Sequence, residues 1–241
     1  MSRALNFGEH RNGVLQQPIQ KTLLPHIDCI IEFQDSCHAL CQRIFERLAE
    51  ALGIERDWFT SRHERTKGPS GTVLRLLYYP KIDDYEQDVD IRAGAHSDFG
   101  SVTLLFQHEG QPGLEIQTPS GDWAAVPVDP FVANVVPAEK RGRQRPLPIL
   151  ANLGDLLEDW TGGLLKSTVH RVIFPKGEDQ SDRYSIAYFC HPLDDELLEP
   201  VPSKLVQDHA MKTGKGSSRN GKLLTAKEHL MERLAATYTI K

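Results

Sequence analysis

Between residues 72 and 190 turn-forming residues divide the chain into short strand-like runs, and this narrows the fold more than any other feature. The runs are Thr72–Tyr79, Ser101–Phe106, Leu114–Gln117, Trp123–Val128, Ile149–Leu153, Ser167–Phe174 and Tyr184–Cys190. Tyr79-Pro80, Gln111-Pro112-Gly113 and Pro119-Ser120-Gly121-Asp122 punctuate the gaps. Proline presets one backbone angle and glycine frees it, so such clusters reverse the chain between strands. Many short strands of this kind bury their apolar faces only by closing into a barrel or stacking as a sandwich. The expected class is therefore mainly β.

Two helical patterns flank the strands. From Asp35 to Leu52 the apolar residues Cys37, Leu40, Cys41, Ile44, Phe45, Leu48 and Leu52 recur at steps of three and four, one face of an amphipathic helix. Asp35 or Ser36 is the expected cap at its start and Gly53 its stop. A second helix is expected over Thr225–Tyr238, with Leu230, Leu234 and Ala235 on one side and Thr225 and Glu228 spaced as a capping box. With 241 residues the expectation is one domain over 1–241, made of an N-terminal helical part (1–70), a β core (71–195) and a C-terminal loop and helix (196–241).

Composition removes several functions. A net charge of −5 lacks the positive field that nucleic-acid binding uses. The basic stretches Val136–Pro148 and Lys212–Lys222 are short and read as solvated loops. No apolar run is long enough to span a bilayer, and Met1–Pro25 lacks the apolar stretch of a secretory signal. Cys29, Cys37, Cys41 and Cys190 form no regular framework, which favours core packing in a reduced, cytoplasmic setting. Cys37, His38 and Cys41 share one helical turn, but no second ligand pair follows them. The glycines at 94, 100, 110 and 113 lack the spacing of a phosphate-binding loop. No obligate protein partner is evident.

The chemistry concentrates in three short segments. In Gly94-Ala95-His96-Ser97-Asp98-Phe99-Gly100, His96 and Asp98 share a face if the segment is a strand, so both can reach one metal ion. His170 lies in another strand-like run, 72 positions after Asp98. Two imidazoles and one carboxylate form a facial triad, which leaves open positions and suits non-haem Fe(II). Either histidine alone reads as an ordinary half-buried, hydrogen-bonded residue. Thirteen positions beyond His170, Arg183 and Ser185 share one strand face and match a carboxylate, although Arg183 alone also reads as a surface ion pair with nearby acids. The order of the HxD pair, distal histidine and RxS pair carries more weight than any of them singly.

These segments, with Leu76-Leu77-Tyr78-Tyr79-Pro80, Gly113-Leu114-Glu115-Ile116, Trp123 and Asn152-Leu153-Gly154-Asp155, resemble the isopenicillin N synthase-like branch of 2-oxoglutarate/Fe(II) dioxygenases. The resemblance runs from Leu74 to Pro192 and extends to the Thr225-Ala226-Lys227-Glu228 helix start. It implies a double-stranded β-helix, or jelly roll, with iron inside the barrel mouth. It implies Fe(II) on His96, Asp98 and His170, 2-oxoglutarate on Arg183 and Ser185 with a further hydrogen bond from Tyr79, and O2 as oxidant. Phe189 and Leu104 match pocket-lining positions, although ordinary barrel core is an equal reading of both. The implied reaction oxidises a small, secondary-metabolism-type molecule and releases succinate and carbon dioxide.

Leu77 stands where plant members often carry an asparagine that helps hold the co-substrate. Val136–Pro148 reads as an insertion, either a lid or an inert surface loop. The segment before Asp35 reads as shortened, without the family's first strand and helix, which predicts an exposed barrel edge or apolar patch. An iron oxidase of the same fold that uses no 2-oxoglutarate, and a non-catalytic binding protein, both stay open. A zinc hydrolase is disfavoured because no HExxH spacing occurs.

Overall fold

A computed structural model describes residues 3–11, 13–82, 86, 91–130, 146–174, 181–214 and 223–239. In chain order the N-terminal elements are β1 (Arg3–Gly8), β2 (His10–Arg11), β3 (Val14–Leu15), a 3-10 turn (Lys21–His26), α1 (Ile27–Leu52) and α2 (Trp58–Arg62). The core elements are β4 (Val73–Tyr79), β5 (Ile91–His96), β6 (Val102–Gln107), β7 (Leu114–Gln117), β8 (Trp123–Ala125), β9 (Leu150–Leu153), α3 (Asp155–Trp160), β10 (His170–Ile173) and β11 (Arg183–Cys190). α4 (Lys204–Thr213) and α5 (Ala226–Thr239) follow. Residues 136–145 of the expected insertion and 215–222 of the second basic stretch lie outside the described residues.

The main strands form a jelly roll of two antiparallel sheets, and β2 and β3 pair separately as a two-stranded ribbon. The larger has the order β1-β4-β11-β6-β9 and the smaller β5-β10-β7-β8. Strand alternation sorts the larger sheet into two faces. Leu74, Val102, Leu104, Tyr188 and Cys190 point outward and join Cys37, Cys41, Phe45 and Trp160 in the main core, against α1 and α3. Leu77, Tyr79 and Leu105 point the other way, toward Leu114 and Val172 of the smaller sheet. Leu104 is thus fully buried under α1 and is not among the residues lining the cavity between the sheets. Its neighbours Thr103 and Leu105 face the cavity instead, so that expectation is off by one residue, which on a strand means the opposite face.

Several boundaries differ from expectation for identifiable reasons. α1 starts at Ile27, eight residues before Asp35, so neither Asp35 nor Ser36 caps it. Gln34 interrupts the apolar pattern, yet it is buried because its amide donates to the carbonyls of Phe7 (3.4 Å) and Gly8 (3.0 Å). Gly53 ends the helix in the left-handed conformation, φ 67°, which costs glycine nothing. The edge of β4 is not bare, because β1 pairs along it from Arg3↔Tyr78 to Gly8↔Val73. β8 stops at Ala125, two residues before Pro127, which has no N–H to donate. α5 has its capping box, with Thr225 N donating to Glu228 Oε2 and Glu228 N to Thr225 Oγ1. Its buried residues are Ala226 and His229; Leu230 and Leu234 are half-buried and Ala235 is exposed. All four cysteines are free thiols, and Cys37 and Cys41 pack in the core.

Candidate metal centre

His96 is the last residue of β5 and sits directly opposite His170, the first residue of β10. Their ring centroids are 4.4 Å apart. With Asp98 they offer ligand atoms that all lie within 4.8 Å of one another. Asp98 lies two residues past the end of β5, so the shared-strand-face argument does not place it. A loop contact does. The Asp155 amide donates to the Asp98 carbonyl at 2.7 Å, and Gly154 lies so close that an added Cβ would meet the Gly100 and Asp98 carbonyl oxygens at 2.2 and 2.9 Å.

The hydrogen bonds around these groups leave lone pairs aimed inward. His96 Nδ1 bonds the Gly94 carbonyl at 2.7 Å and His170 Nδ1 bonds the Thr168 carbonyl at 3.0 Å. A carbonyl only accepts, so each Nδ1 carries the proton and each neutral ring presents a bare Nε2. The His96 residue as a whole is exposed, but its ring borders the cavity. Lost solvation there pulls its pKa below the ordinary histidine value, against the opposing bond to Gly94. Asn152 on β9 donates to Asp98 Oδ2 at 2.7 Å, which leaves Oδ1 turned toward His170 Nε2 at 3.7 Å. Two neutral nitrogens and one free carboxylate oxygen suit a divalent ion of the Fe(II) type.

Arg183 is 1% exposed and faces the same cavity. Its Nη1 donates to Ser185 Oγ at 3.2 Å and its Nη2 to Gln107 Oε1 at 3.3 Å, while its Nε has no hydrogen-bond partner. No carboxylate among the described residues forms an ion pair with it. Desolvation lowers its pKa. A buried cation held only by long hydrogen bonds to neutral acceptors is unfavourable by itself and calls for an anionic ligand. Tyr79 pairs across the strands with Arg183 and Leu77 with Ser185, so all four share the cavity face. The Tyr79 ring lies 5.5 Å from the guanidinium carbon, and burial raises its pKa.

The cavity has a volume of about 620 Å³ including its mouth and is lined mainly by apolar groups, among them Leu105, Leu114, Ile116, Leu150, Val172 and Phe189. Phe189 lines it as expected for its strand phase. Asn152 and Gln107 complete the arrangement, and neither had an assigned role. Asn152 stands in a segment that carried the family resemblance. Gln107 pairs with Ser185 on the flank opposite Leu77, and only the register of β6 against β11 reveals it.

A jelly roll with a two-histidine, one-carboxylate centre beside a buried arginine defines the class of mononuclear metal-dependent oxygenases. The 2OG-Fe(II) oxygenase superfamily matches residues 70–192 of this chain, and the chain belongs to that family. It is 38% identical over 181 residues to a UPF0676 protein of Schizosaccharomyces pombe, covering 73% of this chain and 49% of that protein. It is 35% identical over 180 residues to the 2-oxoglutarate-dependent dioxygenase iboH of Amanita muscaria, covering 73% and 77%. A full-length Neurospora crassa protein, solved in complex with alpha-KG, superposes with a TM-score of 0.73 at 29% identity, covering 98% of this chain and 66% of that one. The chain spans about half the length of the first curated relatives it matches, 49% and 51%.

Proposed function

We propose that this chain oxidises a small organic molecule in a reaction coupled to conversion of 2-oxoglutarate and O2 to succinate and carbon dioxide. His96, Asp98 and His170 would hold Fe(II); Arg183 and Ser185 would bind the distal carboxylate of 2-oxoglutarate; Tyr79 would add a hydrogen bond. The observation that carries this reading is Arg183, a buried guanidinium without an acid partner among the described residues, facing the same cavity as the three metal-ligand groups. Iron(II), when bound, supplies the oxygen activation that decarboxylation of 2-oxoglutarate drives.

The protein's own residues do the rest. Arg183 and Ser185 fix the far end of the co-substrate and so set its register along the cavity. Gln107 orients the guanidinium from β6, across the strand from Leu77, which offers no amide. The Nδ1 bonds to Gly94 and Thr168 hold both imidazoles in one tautomer and orientation. The apolar walls exclude water from the reacting centre, and Phe189 would form part of the acceptor wall.

Relatives named as dioxygenases of specialised metabolites, such as validamycin A dioxygenase of Streptomyces hygroscopicus subsp. limoneus, support an acceptor of that kind. Four free thiols support a reducing, cytoplasmic setting. The β core, 71–195, would carry the chemistry, with 1–70 and 196–241 buttressing it as one domain. No described helix is long and apolar enough to cross a membrane.

Anaerobic calorimetric titration of 2-oxoglutarate into Fe(II)-loaded protein tests the proposal. Binding in the wild type and its loss in Arg183→Ala are expected, with succinate formed once O2 and an acceptor are supplied. A folded, iron-loaded wild type that does not bind 2-oxoglutarate overturns it.

A further inference from the structure

The C-terminal helix reaches the metal loop through one side chain. Arg233 on α5 forms an ion pair with Asp155, at the first turn of α3. Its Nη2 also points at Ser97 Oγ, 3.4 Å away, and its guanidinium carbon lies 5.4 Å from the centre of the Phe99 ring. Ser97 and Phe99 are the two chain neighbours of Asp98. Ser97 Oγ itself donates to Asp155 Oδ2 at 3.0 Å, and the Asp155 amide donates to the Asp98 carbonyl at 2.7 Å. One guanidinium therefore grips the residues on both sides of the metal carboxylate and the aspartate that holds its backbone. One helical turn away, His229 Nε2 bonds Asp159 Oδ2 at 3.1 Å, so pairs spaced by four residues on α5 meet pairs spaced by four on α3.

Apolar packing does not explain this placement of α5. Among its described side chains only Ala226 and His229 are buried. The ion pair is partly shielded, with Asp155 12% and Arg233 30% exposed, and Asp155 also lies where the helix dipole of α3 favours a negative charge. Arginine suits the task because its planar fork addresses a carboxylate and a hydroxyl together while its face rests on an aromatic ring.

We propose that Arg233 is a positioning residue for the metal centre: through Ser97, Asp155 and Phe99 it holds the loop carrying Asp98 in its metal-binding geometry, so that metal retention depends on α5 being docked. This rests on the reading of His96, Asp98 and His170 as the metal ligands. Outer-sphere partners of this kind change metal affinity by roughly tenfold to a hundredfold when removed.

The test is titration of the full chain with Mn(II), the free ion being followed by its electron paramagnetic resonance signal, alongside thermal melts of the metal-free protein. Arg233→Ala is expected to weaken Mn(II) binding about tenfold to a hundredfold at a temperature well below its melt. Arg233→Lys keeps the charge but loses the fork, and should fall between the two. Lys227→Ala, which removes the 3.5 Å ion pair of α5 with Asp194, a contact that does not involve residues 97–99 or Asp155, should leave Mn(II) affinity unchanged even if the melt falls. If Arg233→Ala does not fold, Ser97→Ala and Arg233→Lys carry the comparison. Wild-type affinity in folded Arg233→Ala, or an equal loss in Lys227→Ala, overturns the proposal. Wild-type protein whose Mn(II) binding is indifferent to His170→Ala would instead overturn the metal centre on which it rests.

Discussion

Replacing Arg183 by methionine should make the ligand-free protein more stable while destroying the proposed co-substrate site. Methionine fills a similar volume without a charge. The guanidinium it replaces is 1% exposed and makes two long hydrogen bonds to neutral acceptors, of 3.2 and 3.3 Å, with its Nε unsatisfied. Each such bond contributes about 0.5–1.5 kcal/mol, up to about 3 when one partner is charged. Burying an ion costs several kcal/mol after relaxation. Ser185 lines the cavity and Gln107 is only half-buried, so water can replace the lost donor to each. The balance is a net gain of roughly 1–3 kcal/mol, an upward shift of some 2–10 °C in a chain of this size. Losing one partner of a charge pair in the complex costs about 2–5 kcal/mol. At about 1.4 kcal/mol per decade, 2-oxoglutarate affinity should then fall by roughly 30-fold to several thousandfold. Urea and thermal unfolding of apo protein, with and without 2-oxoglutarate, measures both effects. The wild type should be stabilised by the ligand and Arg183→Met should not. A destabilised apo Arg183→Met would refute the reasoning, because it would make Arg183 a structural residue already satisfied by its neighbours.

Three further outcomes are expected. Gly154→Ala would place a methyl 2.2 Å from the Gly100 carbonyl oxygen, so it should cost about 1–3 kcal/mol or more in urea unfolding and weaken metal binding by displacing the Asp98 loop. Leu104→Ala should cost about 2–5 kcal/mol of stability with little effect on 2-oxoglutarate affinity by calorimetry, the signature of a side chain outside the cavity. Burial pushes the pKa of His63 down to about 3 and that of His191 down to about 4. Both lie below the unfolded value of about 6.5, so the unfolded chain takes up protons first. Stability should therefore be full above about pH 6.5 and fall as pH drops toward 4, by up to about 1.4 kcal/mol per pH unit for each histidine, and His63→Gln should flatten part of that slope in pH-dependent urea melts.

How far the site was legible depended on how local each relation is. His96, Asp98, His170, Arg183 and Ser185 stand in short segments whose order is visible in the chain, and the structure brings all five to one cavity. Relations across strands were not visible. Asn152 and Gln107 matter because of what lies opposite them, and pairing register cannot be read along a single strand. Leu104 shows the cost of a one-residue error where the period is two. Gln34 hid the first two turns of α1 because its partners are the backbone carbonyls of a distant strand, β1. α4 escaped notice for a simpler reason: only Val206 along it is buried, so it has no apolar stripe to find.

The strand order of the larger sheet has a consequence for how the protein is made. Its middle strand, β11, is the last strand among the described residues, and the neighbours β4 and β6 pair through it rather than with each other. On the ribosome, a nascent chain ending before residue 190 would leave both neighbours with an unfilled flank, so the sheet cannot close until nearly all the core has been synthesised. Contacts so distant in sequence form slowly. The closing strand also carries Arg183 and Ser185, so the step that completes the sheet creates the proposed anion site. A co-substrate able to capture that strand as it docks would act on the yield of folded protein, and 2-oxoglutarate supplied during refolding should raise the recovered fraction.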